Sequence, residues 1–333
     1  MDQQTKISVI KRVKAKNFLL FPAVVLAAVL AGCSSGPLKP LSVNDEVSGE
    51  KALSGAPLFV AHGASTGNEP LNSMRAIRTT LARDDYDGIE VDVVLTGDSI
   101  PVLAHDPWLS PDHCRRKDGK PFQTVLIRDV YYEELIRLFE CRFDSASSEH
   151  LAYHELTSLA ELLEVASGFA GKTLYLDLKI HQNKTLPADE YAAEIHQELI
   201  ASGIRNPIFI EVPEISHLKQ IKQEFSERKV TTALSYPAFY AGDDWDKVGA
   251  LSAISTTVSS EEPLNAAQKS GADMIMSPTV VMSYKSVRKL HDASVLYGTF
   301  LVSDKDSMKD ACNHGADLII TDIAPGTGCG EIK

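Results

Sequence analysis

Strand-length apolar runs alternate with amphipathic stretches of helical period from residue 58 to residue 321, and few architectures accommodate that repetition. The runs fall at 58–62, 88–95, 100–105, 173–179, 207–212, 230–235, 272–276, 295–302 and 317–321. Helix-period segments lie between many of them, at 71–83, 157–169, 188–202, 214–226, 262–270, 284–292 and 305–314. Runs that are apolar throughout suit strands covered on both faces, as in a parallel sheet flanked by helices. Repeated βα units over roughly 275 residues predict an α/β fold, a closed (β/α)8 TIM-type barrel. A doubly wound sheet is the alternative, weakened because no glycine-rich nucleotide loop follows any strand.

One connection breaks the repeat. Only a short loop separates the run ending at Leu95 from the one beginning at Ile100, whereas a parallel crossover with a helix needs a dozen or more residues. The barrel is therefore expected to be irregular near its second and third strands, with no helix there. Residues 107–155 then form a polar, cysteine-bearing insertion directly after His105-Asp106, expected to act as a lid or to shape the substrate mouth.

The first thirty-two residues read as an address. Lys11, Arg12, Lys14 and Lys16 form a basic region ahead of the apolar run Phe18 to Leu30. That run has the length of a signal-peptide core and is short for a membrane span. It ends in Leu30-Ala31-Gly32-Cys33, followed by Ser34-Ser35, which resembles the lipobox of bacterial lipoproteins. The resemblance implies a signal peptide at 1–32 and lipidation of Cys33. It also implies a protein anchored in the bacterial cell envelope, at the outer membrane facing the periplasm. Two acyl chains hold such an anchor where one does not. Residues 33–56, rich in Ser, Gly and Pro, read as a flexible tether. The domain is expected at 57–325, and 326–333 is a C-terminal tail.

Loss of residues 1–32 removes five Lys/Arg and one acid, moving the formal charge from −12 to −16. So acidic a chain is a poor partner for nucleic acid or an anionic surface, and an anionic substrate would need a local cationic site. In an exported protein the remaining cysteines are candidates for disulfides. Cys114 and Cys141 bracket a polar segment, and Cys312 and Cys329 are the remaining pair.

The residues that carry chemistry interrupt or end apolar runs. Glu90 and Asp92 in Ile89-Glu90-Val91-Asp92-Val93 point to one face of a strand, as do Asp177 and Lys179 in Leu176-Asp177-Leu178-Lys179. Acids in such runs are costly without a compensating cation. Glu90, Asp92 and Asp177 are therefore candidate metal ligands, and an all-carboxylate set suits Ca2+ or Mg2+. His62 and His105 each follow an apolar run and are candidate acid–base residues, imidazole being poised near neutral pH. Asp106 is read as helping to close the loop after His105.

Together these segments resemble the glycerophosphodiester phosphodiesterase family of the phosphatidylinositol-phospholipase-C-like barrel superfamily. The residues that carry the resemblance are Ala61-His62, Pro70-Leu71-Asn72-Ser73, Ile89-Glu90-Val91-Asp92-Val93, Val102-Leu103-Ala104-His105-Asp106 and Leu176-Asp177-Leu178-Lys179. The closing Gly315-Ala316-Asp317-Leu318-Ile319-Ile320-Thr321-Asp322 is similar to the family's last strand. The resemblance implies metal-dependent hydrolysis of glycerophosphodiesters to glycerol 3-phosphate and an alcohol, through a cyclic phosphate. His62 and His105 would be the acid–base pair, Glu90, Asp92 and Asp177 the ligands, and Lys179 a contact to substrate phosphate.

The chain departs from the family at two positions. Gly63 stands where the family has arginine after the first histidine, and Leu71 where it has glutamate before asparagine. A guanidinium clamps phosphate bidentately and glycine cannot, so the pair reads as a supporting ion pair dropped as a unit. Glu69 is a candidate replacement for the missing acid. Two alternatives follow: a phosphodiesterase acting on a lysophospholipid or other phosphodiester, and a surface-tethered binding protein without activity.

Overall fold

The computed structural model describes residues 56–143, 152–236 and 262–325, together with Cys329. The segment expected to be a signal peptide, Cys33 and the expected tether through residue 55 lie outside the described residues, as does the C-terminal tail apart from Cys329.

Eight parallel strands close into a barrel. Strand β1 (Leu58–Ala61) is followed by helix α1 (Met74–Leu81) and β2 (Gly88–Leu95). Next comes β3 (Pro101–Leu103), which runs antiparallel to β2 with Val93 opposite Leu103 and lies outside the barrel. The short connection therefore makes a hairpin, and no helix intervenes. The insertion holds β4 (Trp108–Leu109), β5 (Cys114–Arg116), β6 (Val125–Leu126), α2 (Tyr132–Leu138) and β7 (Phe139–Cys141).

After α3 (Leu159–Ala166) the chain re-enters the barrel at β8 (Thr173–Leu178), which pairs with β2. Then follow α4 (Ala188–Ala201), β9 (Ile208–Val212), α5 (Ile215–Glu224), β10 (Thr231–Ser235), α6 (Glu262–Ser270) and β11 (Met274–Pro278). The last elements are α7 (Tyr284–Asp292), β12 (Leu296–Val302), α8 (Lys305–Asn313) and β13 (Leu318–Thr321). β1 pairs with both β13 and β2, which closes the ring.

The helices start where the local chemistry asks them to. Ser73 caps α1 by accepting from the Ala76 amide. Ser158 and Glu161 form a reciprocal capping box on α3, and Asp304 and Ser307 do so on α8. Such caps satisfy amides that a first turn leaves without partners.

Alternate residues of the strands sort into two cores. Outward residues such as Ile89, Val91, Val93, Leu174 and Leu176 pack under the helices. Inward residues Val60, Tyr175, Phe209, Met274, Met276 and Leu318 fill the barrel. A third cluster belongs to the insertion, where Leu109, Ile127, Leu135, Phe139 and Phe143 pack with Val94, Val102 and Ala104 of the β2–β3 hairpin. The segment expected to be polar thus carries a core of its own. It is stapled by a Cys114–Cys141 disulfide across the β5–β7 pair. Cys312 and Cys329 are also joined. Among the described residues no helix is long and apolar enough to cross a membrane.

Candidate active site

Strand register sets three carboxylates side by side near the carboxyl ends of the barrel strands. Asp92 of β2 lies opposite Asp177 of β8, and Asp177 opposite Glu211 of β9. Glu90 is two residues before Asp92, on the same face. Oxygens of Glu90, Asp92 and Asp177 all lie within 4.8 Å of one another, and Glu90 and Asp92 are buried.

Lys179 follows directly on β8 and is 5 % exposed. Its ammonium contacts Asp92 Oδ1 at 2.7 Å and Asp177 Oδ2 at 2.5 Å. The sequence pointed this lysine at a substrate phosphate; the structure shows it paired with two carboxylates.

Electrostatics inside the cluster follow from burial and unequal sharing of that one ammonium. Burial, reinforced by Asp92, pushes Glu90 up to about 8. Burial acts on Asp92 in the same sense, but Lys179 and the two histidines overturn it and hold its carboxyl well below the usual range. Asp177 is raised, chiefly by burial, with Lys179 opposing. Glu90, Asp92 and the less buried Asp177 gather more carboxylate oxygens than one ammonium can pair, which is the setting a hard divalent cation satisfies. The donor set fits such an ion.

The histidines flank the carboxylates. His62, immediately after β1, contacts Asp322 Oδ1 through Nδ1 at 2.8 Å. Burial opposes its imidazolium, but the Asp322 hydrogen bond and the charges of Glu90, Asp322 and Asp92 raise it to about 9. The carboxylate partner places the proton on Nδ1. His105, two residues past β3, contacts Asp106 Oδ1 through Nδ1 at 2.9 Å. Asp106 therefore orients the neighbouring imidazole as well as standing in the loop.

The segment between His62 and α1 holds the carboxylates from the other side. The Gly63 amide donates to Glu90 Oε2 at 2.7 Å. Asn72, fully buried, donates from Nδ2 to Asp92 Oδ2 at 2.7 Å, and its Oδ1 accepts from the Asp92 amide at 3.0 Å. Glu69 does not take the missing acid's place: it is buried and its Oε2 turns back to accept from the Thr66 hydroxyl at 3.0 Å. Pro70 separates Glu69 from the position it would have to fill, and the loop's own donors satisfy it first.

Asp322 and Asn72 lie within segments that carry the family resemblance but take no role from it, and Glu211 lies outside those segments. Glu211 is buried in the barrel, accepting from Tyr175 Oη at 2.8 Å and Ser235 Oγ at 2.6 Å. Burial and the nearby Asp177 push it up to about 8. Its signal was available: like Glu90, it is an acid inside an apolar run.

Known proteins share this arrangement's framework. The family model described as glycerophosphoryl diester phosphodiesterase family matches residues 62–324. Human glycerophosphodiester phosphodiesterase 1 is 25 % identical over 181 residues, 53 % of this chain and 48 % of its own length. The chain thus spans about half the length of that curated relative. Among solved structures, a candidate glycerophosphoryl diester phosphodiesterase from Silicibacter pomeroyi superposes with a TM-score of 0.64 at 19 % identity. That match covers 82 % of this chain and 92 % of the other. An Oleispira antarctica phosphodiesterase in complex with the product sn-glycerol-3-phosphate superposes with a TM-score of 0.60 at 21 % identity, covering 82 % and 96 %. These two matches agree with the barrel traced above, and the matched span runs from His62 to two residues past Asp322. The chain belongs to the glycerophosphoryl diester phosphodiesterase family.

Proposed function

We propose that this protein hydrolyses glycerophosphodiesters to glycerol 3-phosphate and an alcohol, using a divalent cation, Ca2+ or Mg2+, held by Glu90, Asp92 and Asp177. The observation that carries the reading is the convergence of these carboxylates between two carboxylate-oriented histidines. When bound, the cation supplies charge neutralisation at the phosphoryl oxygens.

The chain's own residues supply the proton transfers. Asp322 holds the Nδ1 proton of His62 and stabilises the imidazolium, so His62 serves as the acid that protonates the leaving alkoxide. His105, its Nδ1 proton held by Asp106, removes the proton from the substrate hydroxyl next to the phosphoester. Attack by that hydroxyl forms a cyclic phosphate as the alcohol departs. Water then opens the ring, with the two histidines exchanging roles. Lys179 holds Asp92 ionised, opposes the burial that raises Asp177 and adds positive charge for the phosphate. The domain is taken as 57–325, carried on the 33–56 tether from a lipid anchor at Cys33 in the bacterial envelope.

A substrate with an acyl chain is favoured by one observation. Val280, just past β11, and Leu301, near the end of β12, are exposed apolar residues at the same end of the barrel as the histidines.

The test is glycerol 3-phosphate release from several glycerophosphodiesters, with lysophospholipids alongside, with and without chelator. Loss of release on chelation and in both His62→Ala and His105→Ala supports the reading. Undiminished release in both variants refutes it. Preference for lysophospholipids selects the acyl-chain reading. Release from the membrane on Cys33→Ser checks the anchor.

A further inference from the structure

The position that departs most from the family motif is occupied by backbone chemistry. Gly63 sits at φ +53 in the turn after β1, and its amide donates to Glu90. A β-carbon at residue 63 would lie 2.7 Å from Leu71 Cβ and 2.8 Å from Leu71 Cδ2. Leu71 therefore fills the space that any side chain at 63 would need, and the two departures form one packed contact.

Leu71 is 7 % exposed and belongs to the core of the insertion, alongside Ile127, Phe143 and the disulfide cysteines. Its amide donates to the Phe143 carbonyl at 3.0 Å, and the Asn72 amide donates to the Gly63 carbonyl at 2.8 Å. The Leu71 side chain thus bears on Gly63 from one side, while Glu90 receives the Gly63 N–H on the other. Close-packed interiors transmit sub-ångström shifts through contacts of this kind.

We infer that Leu71 is a positioning residue for Glu90, coupling the core of the insertion to the cation site through the Gly63 amide. The inference rests on the proposed cation reading. It gives the insertion a second duty besides shaping the mouth: it fixes the direction of one carboxylate. It also explains why an arginine at 63 is incompatible with leucine at 71.

Calorimetric titration of the full chain with Ca2+ and with Mg2+ tests this, with urea unfolding run in parallel. Leu71→Ala is expected to weaken cation affinity about tenfold, the size typical for losing a group that orients a ligand. Leu71→Met should restore affinity to within about twofold, as a volume-conserving swap. Leu218→Ala, a truncation under the helices far along the chain, should lower stability while binding cation as wild type does. Equal affinity in Leu71→Ala and wild type, or an equal loss in Leu218→Ala, overturns the inference and leaves the cation reading standing. Failure of wild type to bind, or unchanged binding in Glu90→Gln, overturns the cation reading and this inference with it. Should Leu71→Ala not fold, Gly63→Ala approaches the same contact from the other side. Weakened affinity there supports the coupling, and unchanged affinity refutes it.

Discussion

The Asp322 carboxylate meets His62 Nδ1 at 2.8 Å, joining residues 260 positions apart where β13 closes against β1. The closure of the barrel thereby sets the geometry of the proposed acid. Replacing Asp322 with Asn keeps the shape but removes the charge that stabilises the imidazolium. General acid–base groups contribute about 10²–10⁴-fold, so kcat should fall about 10–100-fold, with a smaller change in KM. The sign of the pH effect follows from the direction of the shift. Asp322 raises His62, so without it the protonated acid is lost at a lower pH. The alkaline limb of the kcat profile should therefore move to lower pH in Asp322→Asn, and an unmoved limb would argue against His62 as the acid.

Asn72→Ala removes both hydrogen bonds to Asp92 from a fully buried site. Leaving an amide and a carboxylate oxygen without these partners should cost about 2–3 kcal/mol. Urea unfolding checks that loss. Activity should fall about 10–100-fold, the range for removing a group that orients a ligand.

Why part of this was legible in sequence and part was not follows from how each feature is made. Barrel strands buried on both faces write continuous apolar runs, so 88–95 is recovered end to end as β2, and the helical period of one apolar face recovers 284–292 as α7. The Glu90/Asp92 pair stands out because two acids in such a run violate its pattern. The insertion's core was hidden because its strands are two or three residues long, too short for any period to register. Asp322 and Asn72 gain their roles only when β13 meets β1 and the loop before α1 folds over β2. The resemblance gives Lys179 only a contact to substrate phosphate, and the Asp92–Asp177 register reveals its carboxylate partners. Gly63 and Leu71 were read as a lost ion pair, whereas their shared packing needed coordinates.

The Cys114–Cys141 disulfide closes a loop of 27 residues inside the insertion. Chain-entropy reasoning gives about 3–4 kcal/mol for a loop of this size. The Cys114→Ser/Cys141→Ser protein should lose about that much stability in denaturant. Limited proteolysis should then begin within 107–143, while the barrel helices stay protected. Cuts distributed evenly over the chain would show instead that the insertion and barrel unfold as one unit.

His291, in the last turn of α7, contacts Asp317 Oδ2 through Nε2 at 2.8 Å, and the same oxygen accepts from the Tyr297 amide. The Asp317 hydrogen bond raises the His291 pKa, with partial burial opposing. A histidine raised in the folded state stabilises fully below its unfolded value, about 6.5, and loses that contribution as pH rises through the folded value. His291→Gln removes the titrating group while retaining an amide donor. The stability gap between wild type and variant should be about 1 kcal/mol near pH 5.5, a modest figure because the ring is partly exposed and screened. It should shrink as pH rises from about 6.5 through the folded value and be gone above it. Urea midpoints collected across that range measure it, and because the carboxylates common to both proteins largely cancel, the slope of the difference reports His291. A gap that widens with pH would mean that the ring is held neutral by its partner, the reverse of what the Asp317 contact implies.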